Sequence, residues 1–334
     1  MAGAVIFGCA GTGLTPEERR FFADADPWGF ILFGRNAETP EQVARLTLEL
    51  RASVGRDAPV LIDQEGGRVA RLRAPAWREW APALEECARL PGRDLRARAM
   101  YLRYRLIAAE LAAVGIDVNC APVLDIAQDG THAIIRNRCY GDTPDEVAVI
   151  GRAVADGLLD GGVLPVMKHV PGQGRAGLDS HLALPRVEAS AEALATDFAP
   201  FRALADLPIA MTAHVVYTSL DPEAPATQSP RVVGLIRDEI GFGGLLMTDD
   251  VSMKALSGDF GERAARAIAA GCDLVLHCNG DRAEMAAVAA GTLALQGEAL
   301  ARADAALALR RAAGGEDAAA LAAEFEGIAR RAHA

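Results

Sequence analysis

Gly161-Gly162-Val163-Leu164-Pro165-Val166-Met167-Lys168-His169-Val170-Pro171-Gly172-Gln173-Gly174 reads as one strand and the loop that leaves it. A pair of glycines opens the stretch, an apolar run follows, and a lysine, a histidine and a glycine-rich segment come directly after. A continuous apolar run bounded by glycine is the pattern of a strand buried on both faces, as in a parallel sheet. Polar groups crowded at its C-terminal end stand where an α/β barrel keeps its chemistry.

The same pattern recurs along the chain. Further strands are expected at Val5–Cys9, Gly29–Phe33, Val60–Ile62, Asp117–Ala121, Ile209–Ala213, Gly244–Thr248 and Asp273–His277. Between them lie amphipathic helix patterns at Pro40–Val54, Asp94–Val114, Pro144–Asp160, Ala191–Leu204, Arg231–Ile240 and Glu262–Ala270. Thr39-Pro40-Glu41-Gln42 supplies an N-cap, a proline at the first helical position and an acid in the first turn, and Thr143-Pro144-Asp145-Glu146 repeats it. Strands alternating with helices predict a single (β/α)8 TIM-like barrel over residues 1–334, with terminal helices from about residue 281 onward. The long insert from Glu65 to Gly115 makes the barrel irregular, and a doubly wound open sheet is the alternative.

Composition narrows the function. The chain has 334 residues and a formal net charge of −11, with 51% hydrophobic residues. Such an acid excess argues against nucleic acid or an anionic membrane as partner, since both need basic patches. The N-terminus lacks the positive start of a signal peptide and no run reaches the ~20 apolar residues of a membrane helix, so a cytoplasmic location is expected. The six cysteines form no C-x-x-C pair and are expected as reduced, mostly buried thiols.

Four strand ends carry concentrated chemistry: Asp63-Gln64-Glu65-Gly66-Gly67-Arg68, then Lys168-His169, then His214, then Asp249-Asp250. Their convergence on one barrel mouth predicts a site there. In the glycine-rich loop after the fifth strand, Asp179 stands two residues before His181. An aspartate so placed orients an imidazole and raises its basicity, which makes His181 a general acid/base; an ordinary Asx turn beside a surface histidine is the other reading. The loop lacks the G-x-x-x-x-G-K-[ST] pattern of a phosphate loop.

The segments Leu61–Arg71, Asn119–Asp125, Lys168–Gly174, Asp179-Ser180-His181, Ala213-His214-Val215 and Thr248–Met253 resemble glycoside hydrolase family 3. Within it they resemble the single-domain bacterial β-N-acetylhexosaminidases of the NagZ type. The resemblance runs in order from about Gly29 to Asn279, and K-H-x-P-G-x-G followed by D-S-H is its most specific part.

The resemblance implies a retaining hydrolase that releases terminal β-linked N-acetylglucosamine. Asp249 would be the nucleophile forming a glycosyl-enzyme, and His181 the acid/base with Asp179 as its partner. An imidazole with an unperturbed pKa of ~6.5 suits both protonation of the leaving oxygen and activation of water. Asp63, Arg71, Arg138, Lys168 and His169 would bind the sugar, with Arg136 as a neighbour of Arg138, and His214 would line the floor. For Asp63 a rim salt bridge, and for His214 a packed barrel histidine, are the structural readings. Successive strand residues face opposite sides, so Asp250 is expected to cap a helix or support the site from behind.

The implied substrate is a muropeptide fragment carrying N-acetylglucosamine on anhydro-N-acetylmuramic acid. No metal or organic cofactor is implied, and a monomer is expected. The chain departs from the pattern at Gln173, where many relatives have histidine, at Val170, where they have phenylalanine, and at Thr248 in place of serine. Three alternatives are a phosphorylase using the same intermediate, a metal-dependent barrel hydrolase, and a non-catalytic sugar-binding protein. Product analysis with and without phosphate separates the first, and activity after chelation the second. The intact set Asp249, Asp179 and His181 speaks against the third.

Overall fold

The computed structural model of the chain describes residues 1–179, 182–310 and 317–331. Strands β1 (Gly3–Gly8), β2 (Pro27–Leu32), β3 (Val60–Ile62), β4 (Val118–Asn119), β5 (Leu164–Val170), β6 (Ile209–Thr212), β7 (Leu245–Asp250) and β8 (Leu274–His277) close into one barrel. Each pairs in parallel with its neighbour in the chain, and β8 returns to β1 with Val275 beside Val5 and Leu276 beside Ile6. That closing pair rules out the open sheet. The expected (β/α)8 barrel is the fold.

Strand limits differ from expectation in an informative way. β4 is only Val118–Asn119, whereas β5 and β7 run on through Val170 and Asp250. Both long strands bulge at that end. Lys168 and Val170 of β5 lie opposite the consecutive Met211 and Thr212 of β6. Met247 and Asp250 of β7 lie opposite Leu274 and Leu276 of β8. Each bulge inserts one extra residue, which locally overrides the two-residue alternation of side chains.

Elsewhere the alternation holds and sorts the core into layers. Ile6, Ile31, Leu61, Val118, Val166, Met211, Met247 and Leu276 fill the barrel interior. Their strand neighbours Val5, Phe7, Phe30, Val60 and Ile62 face the helices on one side, and Met167, Ala210 and Leu246 face them on the other. Both strand faces are therefore dry, as the apolar runs demand.

The helices follow their caps. Helices Pro40–Val54 and Pro144–Asp160 match the expected limits, with Thr39 and Thr143 hydroxyls accepting from the amides of Gln42 and Glu146. A helix at Pro16–Ala25 was not expected, although Thr15 and Glu18 form a complete capping box at its start. The insert contains a short helix, Ala83–Arg89, and Arg186–Val187 pairs with Val216–Tyr217 as a small separate sheet.

C-terminal helices lie at Arg282–Ala290, Gly297–Ala308 and Ala318–Arg331. Two arginines tie this region to the N-terminal ends of the strands: Arg302 Nη1 lies 3.0 Å from Asp273 Oδ1, and Arg310 Nη1 lies 2.9 Å from Asp117 Oδ2. Those contacts sit at the end of the barrel opposite the polar mouth, which they leave open. Among the described residues no helix is long and apolar enough to cross a membrane.

Candidate active site

The inward register of each strand, continued past its last apolar residue, lays the floor of one cavity. Leu61 is followed two residues on by Asp63, Val166 by Lys168, Met247 by Asp249, Ile31 by Phe33 and Leu276 by Cys278. All five of these second residues line the cavity, together with Arg71, Arg138, His169, Gln173 and Asp179. The bulges add His169 and Asp250 to the same wall beside Lys168 and Asp249.

Charges on the floor are nearly balanced. Lys168 Nζ lies 2.7 Å from Asp63 Oδ1 and 2.6 Å from Glu65 Oε1. Arg138 grips Glu65 with two parallel bonds of 2.8 Å, from Nε to Oε2 and from Nη2 to Oε1. Arg71 Nη2 reaches Asp63 Oδ2 at 3.2 Å, and its guanidinium stacks 4.8 Å over the Phe33 ring. Burial pushes the Asp63 carboxyl up, but Lys168 and Arg71 outweigh it and hold Asp63 well below the usual carboxylate range. Burial likewise opposes ionisation of Glu65, yet Arg138 and Lys168 bring it down to about 2. For Lys168 burial disfavours the charge, and Asp63 and Glu65 reverse that, raising the ammonium above its ordinary value. Each of the three cations is thus held by a carboxylate.

Behind this layer stands a bracing set. His169 Nδ1 is 2.7 Å from Asp125 Oδ2, and the Gln173 amide donates to Asp125 Oδ1 at 2.6 Å. Arg138 Nη2 donates to His169 Nε2 at 3.2 Å, so His169 carries its proton on Nδ1 towards Asp125. Burial pushes the Asp125 carboxyl up, and the His169 contact outweighs that and lowers it. The Gln64 side chain holds the following turn, accepting from the amides of Arg71 (2.8 Å) and Leu72 (3.1 Å) and donating to the Leu72 carbonyl.

Asp249 differs from the other acids on the floor. Its Oδ1 accepts one bond, from the Asp250 amide at 2.8 Å, and among the described residues no cation pairs with it. Asp250 spends its oxygens on the protein, accepting from the Ser252 amide and hydroxyl (2.9 and 2.7 Å) and from the Cys278 amide (3.2 Å). Asp250 therefore stands on the cavity wall beside Asp249 instead of facing the opposite side, and its carboxylate braces the turn after β7. The Thr248 hydroxyl accepts from the Leu276 amide at 2.9 Å and fastens β7 to β8.

Of the residues singled out from sequence, Asp63, Arg71, Arg138, Lys168, His169, Asp179 and Asp249 come together around the cavity. His181 lies outside the described residues. His214 is not among the residues that line the cavity. It is wholly buried, off the cavity wall, with Nδ1 2.7 Å from Thr227 Oγ1 and Nε2 3.0 Å from the Asp250 carbonyl. β6 ends at Thr212, Ala213 packs in the outer core with Ala210, and His214 shares the Thr227 hydroxyl with Thr212. Burial lowers its pKa. His169 stands on the cavity wall with its Nε2 3.2 Å from Arg138 Nη2. Arg136 turns away and donates to the Gln128 carbonyl. Val170 packs in the outer core, whereas Gln173 is on the cavity wall. Glu65 and Asp125 were quoted in the motifs but given no role, although every floor cation except Arg71 depends on Glu65. All six cysteines are buried and unpaired.

A closed parallel barrel with acids and cations gathered at the C-terminal ends of its strands has the form of a barrel enzyme with its active site at the mouth. The chain matches the glycosyl hydrolase family 3 N-terminal domain over residues 14–308 and belongs to that family. It is 40% identical over 287 residues to a beta-hexosaminidase of Alkalilimnicola ehrlichii, spanning 84% of this chain and 81% of that one. NagZ of Neisseria gonorrhoeae, solved in complex with N-trifluoroacetyl-D-glucosamine, superposes with a TM-score of 0.85 at 32% identity, over 99% of this chain and 97% of that one. A family 3 β-N-acetylglucosaminidase of Paenibacillus has a TM-score of 0.80 at 34% identity, over 94% of this chain; this chain spans 62% of its length.

Proposed function

We propose that this β-N-acetylhexosaminidase is a retaining, exo-acting enzyme that removes terminal β-linked N-acetylglucosamine through a covalent intermediate on Asp249. The observation that carries the reading is the contrast among the acids of the mouth. Asp63 and Glu65 are neutralised by Lys168, Arg71 and Arg138, while Asp249 stands at the end of β7 with no cation paired to it among the described residues. A carboxylate left uncompensated in a sheltered cavity stabilises positive charge developing at a sugar carbon and is free to bond to it.

In the first step an Asp249 oxygen bonds to the anomeric carbon as the bond to the leaving oxygen breaks, and His181 gives its proton to that oxygen. In the second, water loses a proton to His181, attacks the same carbon and displaces Asp249, so the configuration is retained overall. Asp179 orients His181. Asp63, Arg71, Arg138 and Lys168 hold the sugar hydroxyls and the acetamido region, and His169 acts through Arg138. The natural substrate in this reading is a cell-wall fragment with N-acetylglucosamine on anhydro-N-acetylmuramic acid, met in the cytoplasm during peptidoglycan recycling, and the enzyme works as a monomer without a cofactor.

The test is to trap the intermediate with an activated 5-fluoro-N-acetylglucosaminyl donor and measure intact mass. A single sugar adduct should map to the peptide containing Thr248–Met253, and Asp249→Asn should keep the fold and lose the adduct. An adduct on any other residue would overturn the assignment.

A further inference from the structure

Gly66 and Val69 exchange backbone hydrogen bonds of 3.0 and 3.1 Å, closing a two-residue turn of Gly67 and Arg68 at the edge of the cavity. The turn is clamped from every side. Gly66 and Gly67 take φ of 98° and 56°, values that favour glycine. A Cβ on Gly66 would lie 1.9 Å from Arg103 Nη2, and one on Gly67 2.9 Å from Pro82 Cα. The Gly67 amide donates to the Trp80 carbonyl at 2.8 Å, and Arg73 Nη2 donates to the carbonyls of Gly67 and Arg68 at 3.2 and 3.3 Å.

The one side chain this turn carries is Arg68, which is exposed, lines the cavity and makes no hydrogen bond or ion pair among the described residues. The other lysine and arginines on the wall are committed: Lys168 to Asp63 and Glu65, Arg138 to Glu65, and Arg71 to Asp63. A rigid turn that offers an uncommitted guanidinium at the rim is an anion receptor in form, since the planar fork matches a carboxylate.

We propose that Arg68 receives a carboxylate carried on the leaving-group side of the substrate, so that the enzyme selects β-N-acetylglucosaminides with acidic aglycones. This rests on the exo-acting reading above, in which the uncharged sugar occupies the floor and the aglycone extends past the rim. The chain's net charge of −11 repels an anion from a distance, and screening confines that repulsion to about 8 Å at physiological salt. Preference for an acidic aglycone therefore needs a local cation, and Arg68 supplies it.

The experiment compares kcat/KM for 4-carboxyphenyl and 4-carbamoylphenyl β-N-acetylglucosaminide, and for the 3-substituted pair, in wild type, Arg68→Ala and Arg68→Lys. Within each pair the shape is kept and the charge removed. In Arg68→Ala the acid-to-amide ratio should fall about five- to tenfold for at least one pair at low salt, with the amide substrates unchanged. Arg68→Lys should restore part of the ratio, and added KCl should erode it in wild type. A ratio unchanged in Arg68→Ala for both pairs, in an enzyme that remains active, overturns the Arg68 assignment alone. Failure of the wild type to cleave any of the four glycosides would bring down the N-acetylglucosaminidase reading, and the Arg68 proposal with it.

Discussion

Replacing Glu65 by glutamine should cost this enzyme much of its stability while changing few atoms. Glu65 is 3% exposed and meets Lys168 at 2.6 Å and Arg138 through two bonds of 2.8 Å. Removing one partner of a buried ion pair costs about 3–5 kcal/mol, because the surviving charge stays buried without compensation. Glutamine keeps one acceptor for Arg138, and Lys168 keeps Asp63, so the loss belongs near the lower end, about 3 kcal/mol. Its new NH2 group also faces a cation. Urea unfolding at pH 7 measures the loss. Acid adds a second reading, because the folded Glu65 carboxyl sits at about 2 while an unfolded glutamate titrates near ~4.3. A carboxyl depressed by folding contributes its stability in full above the unfolded value and loses it as pH falls towards the folded one. The gap between wild type and Glu65→Gln should thus be constant from about pH 7 to 5 and narrow below about pH 4. A loss under about 1 kcal/mol at pH 7, or a gap that does not narrow in acid, would refute the idea that Glu65 neutralises this floor.

Two further outcomes are expected. His181→Ala should slow alkyl N-acetylglucosaminides far more than activated aryl ones, since only poor leaving groups need the proton; equal losses on both in steady-state assays would count against an acid role. His214→Ala should destabilise by about 2–4 kcal/mol through an emptied site and the lost bonds to Thr227 and the Asp250 carbonyl, with KM for an aryl glycoside within about twofold of wild type. A large rise in KM without loss of stability would return His214 to the sugar.

Much of this architecture is legible in the sequence because apolar runs and caps are local signals. The strand cores and the helices behind Thr39 and Thr143 follow from them. The helix after Thr15 was missed although Thr15-Pro16-Glu17-Glu18 carries the same cap chemistry, because no long apolar stripe follows it. Alternation of side chains, extended past each strand end, places Asp63, Lys168 and Asp249 on the floor, but it does not place His214, because β6 ends at Thr212 and Ala213 packs outward with Ala210. The same rule misjudges His169 and Asp250, because a bulge is a pairing property of two strands and leaves no mark in either alone. Glu65 escaped notice for a related reason: its importance lies in Lys168 and Arg138, which are distant in sequence and meet only in the closed barrel.

The two bulges have a consequence for how such a mouth changes over generations of descent. Deleting one residue at either would keep every upstream rung of the ladder and turn one of two neighbouring groups, histidine beside lysine or one aspartate beside the other, towards the helical shell. A single-codon insertion or loss at the rim can therefore rewrite which atoms meet the substrate while the scaffold beneath remains as it was.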